Sequence, residues 1–445
     1  MPIGLLIAAA VVGFVAVWHF KGGASAAVLA MLGGCALAPI TLMSWGEPTT
    51  IAAMAAPTIT FTTYHLALVG ALIALPTQAL RNTPPVFFLF LIAVVVLTVA
   101  RDLVAPHTVS GMVQWASAVA AWGVGGAIAE ASHRSHRPTE RLIALAIAVV
   151  VGWHGAVVAL QLFGGRAVRS IEVGASEVAR VSGLAGASGN VGKIMFCLIL
   201  ILLPVTRSAD RLARRVAIAT IVVAALLTGL SYSRANTVAI AALLAIWLLL
   251  GAGITLAKRI LIPAVAIVLA FPIIDTLVLR NEYDPDGGSR PILTETALRQ
   301  ISETPWLGVG TNNYLNYVGQ YDLLTAGGLP VHSAVLLAIA EVGILSFALF
   351  LVPLVAAVVY SIRNVGRSSP TRSYALALIA GSPGIVVIAT TGWGLIRGQF
   401  LVLLLFAIGY LVSAQRARSE GDRQLSAPAR PGRARIRTTG LSHAS

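Results

Sequence analysis

Charged side chains are scarce in this chain: Asp, Glu, Lys and Arg make up 11% of 445 residues, against 57% hydrophobic. With a mean hydropathy of +0.87, too little polar surface is left to cover a water-soluble fold, and that class is excluded. Carboxylates are scarcest, 17 Asp and Glu against 31 Lys and Arg, a formal net charge of +14. The excess could suggest a nucleic-acid partner. However, the basic residues fall between apolar runs and in a C-terminal tail, where membrane topology places them, so no nucleic acid is expected. The two cysteines, Cys35 and Cys197, each lie within an apolar run with no CxxC spacing and no histidine nearby. That excludes a disulfide framework and a cysteine metal site. Acidic pairs are lacking too: Asp284 and Asp286 have a DxD spacing, but Pro285 and Gly287-Gly288 make them a solvated turn. Neither a metal nor a cofactor is expected. The first apolar run, 3–20, has no basic n-region and continues through Lys21 into a second run, so it reads as a retained helix.

Long apolar runs are abundant. About 20 apolar residues cross the hydrocarbon core, and thirteen segments qualify: 3–20, 25–45, 59–77, 84–100, 110–129, 141–163, 189–205, 213–231, 235–251, 258–278, 332–361, 373–392 and 397–413. The expected fold is an all-α polytopic integral membrane protein of twelve or thirteen transmembrane helices, the first hairpin deciding between the two. Basic clusters at His133–Arg137, Arg207–Arg215, Lys258-Arg259, Arg363–Arg372 and after Ser413 fall on one side, which the positive-inside rule makes cytoplasmic. Residues 164–188, the turn Ser231–Arg234 and the long stretch 280–331 then face outward. The chain divides into helices over 1–279, an outer loop over 280–331, further helices over 332–413 and a tail over 414–445. Rich in Arg, Ser, Pro and Gly, the tail is expected to be disordered and to lie along anionic headgroups.

The outer loop opens on a polar, turn-rich stretch, Arg280 to Pro291, and an amphipathic helix is expected over Thr294–Glu303, stopped by Pro305. Gly308 and Gly310 then allow tight turns, whose backbone N–H groups could face an anion or simply close a turn. His332 stands at the outer mouth of the next span. Counted along a continuous helix, Gly343 lies three turns further on nearly the same face, whereas Glu341 points away, about 13 Å deeper. A carboxyl there must be paired or functional, and its direction favours a structural ion pair.

These residues resemble the O-antigen ligase and polymerase superfamily of bacterial membrane glycosyltransferases. Its ligases carry a His followed by Asn, Ser or Gln, nine residues, then Gly-x-x-Gly-Thr at the end of a large periplasmic loop. His332, Ser333 and Gly343 match in place, while Ser346-Phe347 stands where Gly-Thr is usual. Ser233-Arg234-Ala235 is similar to the family's Ser-Arg-Gly. Arg290, followed by Ala297-Leu298 and Pro305-x-x-Gly308-x-Gly310, resembles the family's loop arginine and the motif after it. Arg180-x-x-Gly183 with Asn190 resembles its approach to a span. The ordered set covers roughly residues 180–350; the first 170 residues contribute only hydropathy.

The resemblance implies transfer of a glycan from a polyprenyl-diphosphate donor to a hydroxyl acceptor, without a metal, on the outer face of a bacterial inner membrane. The partners would be that lipid-linked glycan, a lipid, glycan or protein acceptor, and membrane lipids. His332 would be the general base, with Arg290 and Arg234 also catalytic; Arg180, Arg299, Asn190 and Ser333 would bind the diphosphate or glycan. The physical reading agrees, because outward-facing arginines are unusual and a diphosphate supplies their anion. Ligase and polymerase both fit. From another class, a lipid or polysaccharide transporter remains, although it should carry central charges and broken helices in paired halves.

Overall fold

The computed structural model describes residues 3–37, 40–45, 59–134, 139–164, 169–173, 176–251, 278, 288–366 and 369–426. In chain order the elements are α1 (Ile3–Lys21), α2 (Gly23–Ala36), β1 (Thr41–Trp45), β2 (Ile59–Thr62), α3 (Thr63–Ala74), α4 (Pro76–Asn82), α5 (Pro85–Ala100), α6 (Pro106–Arg134) and α7 (Thr139–Phe163). There follow β3 (Arg169–Val173), β4 (Ser176–Arg180), α8 (Ser188–Val205), α9 (Arg211–Leu230), α10 (Arg234–Leu250), α11 (Arg290–Glu303), α12 (Tyr314–Val318), α13 (Leu323–Ala326), α14 (Ala334–Asn364), α15 (Ser369–Thr391), a 3₁₀ turn (Trp393–Ile396) and α16 (Gln399–Ser426).

The fold is the expected all-α polytopic membrane type. In hydrocarbon every backbone N–H and C=O must be satisfied within the chain, which selects helices. Among the described residues seven helices are long and apolar enough to cross a membrane: α6, α7, α8, α9, α14, and most of α15 and α16. Twelve of the thirteen expected spans carry helix; the thirteenth, 258–278, lies outside the described residues but for Val278.

Several expectations need correction. The span at 25–45 stops at Ala36, where Ala38-Pro39 follows in the sequence; its end, Thr41–Trp45, is instead strand β1, paired antiparallel with β2. The span at 59–77 begins with that strand and is then broken between α3 and α4, which meet at 102°. Pro76, at the first position of α4, has no N–H to continue the ladder. Residues 164–188 are not all loop, since β3 and β4 form a hairpin with Arg169 opposite Arg180. The tail does not begin at Ala414: α16 runs on to Ser426, and Arg418 pairs with Glu140 at 2.7 Å. Residues 427–445 lie outside the described residues.

At the centre stand α8 and α16. From Ile194 to Val205 every side chain of α8 is buried, and α16 packs along α6 more extensively than any other helix pair in the fold. Close approach there depends on absent side chains: a methyl at Gly125 would meet the Phe406 carbonyl, and one at Gly409 the Trp122 carbonyl. α8, α10 and α15 also contact one another pairwise, a triad whose two ends matter below.

Candidate active site

Four helices present their N-termini at one end of the molecule, and each places a cationic or titratable side chain where the helix dipole is already positive. Arg234 is the first residue of α10 and Arg290 the first of α11; Lys193 lies in the second turn of α8, and His332 stands two residues before α14. None of the four carries an acidic residue in its first turn. Cations at a helix N-terminus are unfavourable until an anion is shared with them.

The fold brings Arg290 to His332. The helix after Ser289 begins four residues earlier than expected, so Arg290 belongs to α11 rather than to the turn-rich stretch, and α11 packs on α14. His332 is half-buried. Desolvation is the main cause that pushes its pKa below the ordinary value, and the Arg290 charge adds to it; a hydrogen bond with the backbone of Pro330 acts the other way. Its Nδ1 is buried with no hydrogen-bond partner. Both lowering causes favour the neutral imidazole over the imidazolium.

The other expected residues are placed as follows. Arg234 follows a three-residue turn with Tyr232 in the left-handed region, φ 49°. Asn236, one half-turn on, donates to the Gly189 carbonyl (2.7 Å) and to Ser233 Oγ (2.9 Å), which joins the N-termini of α8 and α10. Asn190 donates to the Ala185 carbonyl at 3.3 Å and accepts from Lys193 Nζ at 3.2 Å. Ser333 caps α14, its hydroxyl accepting from Leu336 N–H at 3.3 Å. Arg180 ends strand β4. Arg299 is not brought to His332: nine residues after Arg290 it faces the opposite side of α11, is exposed, and is engaged by Glu303 (3.5 Å) and the Tyr321 ring (5.8 Å).

The continuous helix assumed from His332 through Gly343 does not exist. Helix α14 is interrupted at Gly343, which adopts φ 75°, ψ 164°. Into this break docks Pro305–Gly310: Val309 N–H donates to the Ala340 carbonyl (2.9 Å), Gly310 N–H to the Glu341 carbonyl (2.8 Å) and Ile344 N–H to the Pro305 carbonyl (2.9 Å). The loop amides thus serve the broken helix rather than an anion. Glycine is needed on both sides, because a methyl on Gly308 would strike the Glu341 carbonyl and one on Gly343 the Trp306 carbonyl, and both residues have positive φ. The loop is tied on its far side to the α5–α6 junction. Arg101 donates to the Gly308 carbonyl, Thr311 to the Thr108 carbonyl (2.8 Å), and His107 Nε2 meets Asn313 Oδ1 at 2.9 Å.

Sequence reasoning missed several positioning groups. His154 and Gln161 of α7 hold the segment after Arg180: Gln161 Oε1 accepts from Ser182 and Gly183 N–H at 3.0 and 3.1 Å, and His154 Nδ1 accepts from Leu184 N–H at 3.3 Å. Arg397 forms the ion pair with Glu341, which is buried. Lys193 lies 5.1 Å from the Phe400 ring centroid and against Gly394, with no carboxylate among the described residues in salt-bridge range. A lysine so deep in an apolar run was the available signal. No group of three His, Cys, Asp or Glu among the described residues could hold a metal.

Residues 194–351 match the family model described as O-antigen ligase. The match covers about a third of the chain, from α8 past the Gly343 break, and includes Arg234, Arg290, Arg299, His332 and Ser333 but not Arg180 or Asn190. It supports the O-antigen ligase and polymerase superfamily, and with it a membrane glycosyltransferase of ligase or polymerase type. No curated protein matches the chain.

Proposed function

We propose that this chain moves a glycan from a polyprenyl-diphosphate-linked donor to a hydroxyl acceptor, with the chemistry at the mouths of α8, α10, α11 and α14, on the outer face of the inner membrane. The observation that carries this reading is His332 within electrostatic reach of Arg290: an imidazole with a buried Nδ1 that has no partner, its pKa lowered by desolvation and by a guanidinium at a helix N-terminus. His332 takes the proton of the acceptor hydroxyl. The hydroxyl oxygen bonds to the anomeric carbon as that carbon's bond to phosphate oxygen breaks, and the electron pair leaves with polyprenyl diphosphate. One displacement inverts the anomeric carbon.

Arg290 and Arg234 face the charge that builds on the departing diphosphate, a role suited to the planar guanidinium fork. Arg180, Asn190 and Ser333 are kept as donor-binding candidates, with Lys193 added beside Asn190. Arg299 is the weakest member, because its charge is already shared with Glu303. The nature of the acceptor decides between ligase and polymerase: a finished lipid or protein anchor makes the chain a ligase, another repeat unit a polymerase.

The test is release of polyprenyl diphosphate from a lipid-linked oligosaccharide by purified wild type, His332→Ala and Arg290→Ala with candidate acceptors present, after all three are shown to fold. Loss by about a hundredfold in both variants is expected. Undiminished release would refute the site, and lipid transport without release would move the chain to the transporter class.

A further inference from the structure

At the far end of the α8, α10 and α15 triad lies a second cationic cluster, which plays no part in the chemistry above. Arg207 follows the C-terminus of α8, Trp247 stands in the last turn of α10, and Arg372 in the first turn of α15. The Arg207 guanidinium lies over the Trp247 ring, 4.5 Å from its centroid. Desolvation and the nearby Arg372 charge both lower the Arg207 pKa, so the two arginines sit within electrostatic reach of each other. Arg207 Nη2 and Arg372 Nε are both buried with no hydrogen-bond partner. Thr371 Oγ1 and both polar side-chain atoms of Asn364, which bracket the α14–α15 connection, are buried and unpartnered too.

Among the described residues no carboxylate answers these charges. Neither arginine forms a salt bridge with a described residue, and the described carboxylates on this face are engaged elsewhere: Glu130 with Arg81, Glu140 with Arg418, and Asp210 on the Leu212 and Ala213 amides. Two neighbouring guanidinium groups, each with a buried nitrogen whose N–H is not used within the described residues, suit a tetrahedral oxyanion. An ordinary snorkelling arginine keeps its head in water; here the Arg207 head stacks on the Trp247 ring and its Nη2 is buried.

We propose that Arg207 and Arg372, with Thr371 and Asn364, form a phosphate-binding site at the end of the triad opposite the candidate active site, taking the phosphate of an anionic lipid headgroup or free inorganic phosphate. With the basic clusters facing the cytoplasm, the lipid would belong to the inner leaflet. Occupancy clamps the ends of three helices whose other ends carry Asn190, Lys193 and Arg234, so a filled site stiffens the scaffold of the catalytic mouth.

The test uses full-length wild type, Arg207→Gln/Arg372→Gln and, as a control for general surface charge, Arg211→Gln/Arg215→Gln, all in a neutral detergent. Thermal unfolding is followed with phosphatidylglycerol, phosphatidylcholine, inorganic phosphate, or chloride at matched ionic strength. Wild type and control are expected to gain about 3 °C or more over chloride, and the Arg207/Arg372 variant to gain nothing. A gain with phosphatidylglycerol alone assigns the lipid; an equal gain with inorganic phosphate assigns the free anion. An equal gain in the Arg207/Arg372 variant, or none in wild type with any phosphate probe, overturns the site. Removing one of two repelling charges should leave the single variant Arg372→Gln folded, so native mass spectrometry of retained phosphatidylglycerol on it gives a second reading: retention equal to wild type counts against the site.

Discussion

His332 and Arg290 lie on different elements and come within electrostatic reach because α11 packs on α14. The charge of Arg290 and the burial of the imidazole both lower the His332 pKa below the usual value near 6.5. The base form therefore persists to lower pH than a free histidine would allow, and the acid limb of kcat/KM should fall below about 6.5. Arg290→Gln removes one of the two lowering causes, so the acid limb should move to higher pH, on top of any loss of rate. A pH profile of polyprenyl diphosphate release checks this, and a shift to lower pH in the variant would contradict the proposed pairing. Lys193 makes a separate prediction. Its ammonium is desolvated and, among the described residues, answered only by Asn190 and an aromatic ring, so Lys193→Met should raise the unfolding temperature of the ligand-free protein while raising KM for the lipid-linked donor about tenfold. Unchanged KM would place Lys193 outside the donor site. The arginines could be singled out in the sequence because outward positive charge violates a topological rule. Lys193 was overlooked because its run reads as one apolar span.

At the scale of elements, the break in α14 and the loop that fills it form one unit. The Pro305-x-x-Gly308-x-Gly310 and Gly343 motifs were visible in the sequence, but their joint purpose was not, because nothing local says that residues 305–310 and 340–344 exchange backbone hydrogen bonds. A periodicity argument assumes an unbroken helix, and that assumption put Gly343 on the face of His332. The structure turns the glycine into a gap in the ladder whose freed carbonyls, Ala340 and Glu341, are capped by loop amides. A methyl at either glycine would force the left-handed backbone and drive apart two main chains in contact. Gly343→Ala and Gly308→Ala should each cost about 2–4 kcal/mol, whereas Gly152→Ala, which meets nothing within 4 Å, should be neutral or slightly stabilising. Denaturation of the three variants in one detergent measures the contrast. Equal stability for all three would mean that the loop is not seated in the break. The same reasoning explains the shortened and broken spans near the N-terminus: apolarity alone cannot separate a span from a strand such as Thr41–Trp45 or from a bend at Pro76.

Across the whole molecule, the placement of basic residues predicts which end faces which compartment. The candidate active site and the α12–α13 segment lie at one end; Arg207, Arg211, Arg363 and Arg418 lie at the other. Positive residues resist translocation, so the second end should face the cytoplasm and the first the exterior. The two native cysteines make this simple to test, since Cys35 and Cys197 are both buried, 0% and 1% exposed, and the unaltered chain should not react with a membrane-impermeant thiol reagent. Leu323, at the start of α13, is 90% exposed and suits a reporter at the end that holds the candidate site; Arg211, exposed at the start of α9, suits one at the opposite end. In intact cells Leu323→Cys should be labelled and Arg211→Cys should not; in inverted vesicles the pattern should reverse. Labelling of Arg211→Cys but not Leu323→Cys in intact cells would put His332 and Arg290 in the cytoplasm. That outcome would leave the helix mouths and their chemistry intact, but it would remove the externally displayed lipid-linked donor from the proposal. Labelling of both from one side would mean that an odd number of membrane crossings does not separate the two ends, and the count of spans between Arg211 and Leu323 would have to change.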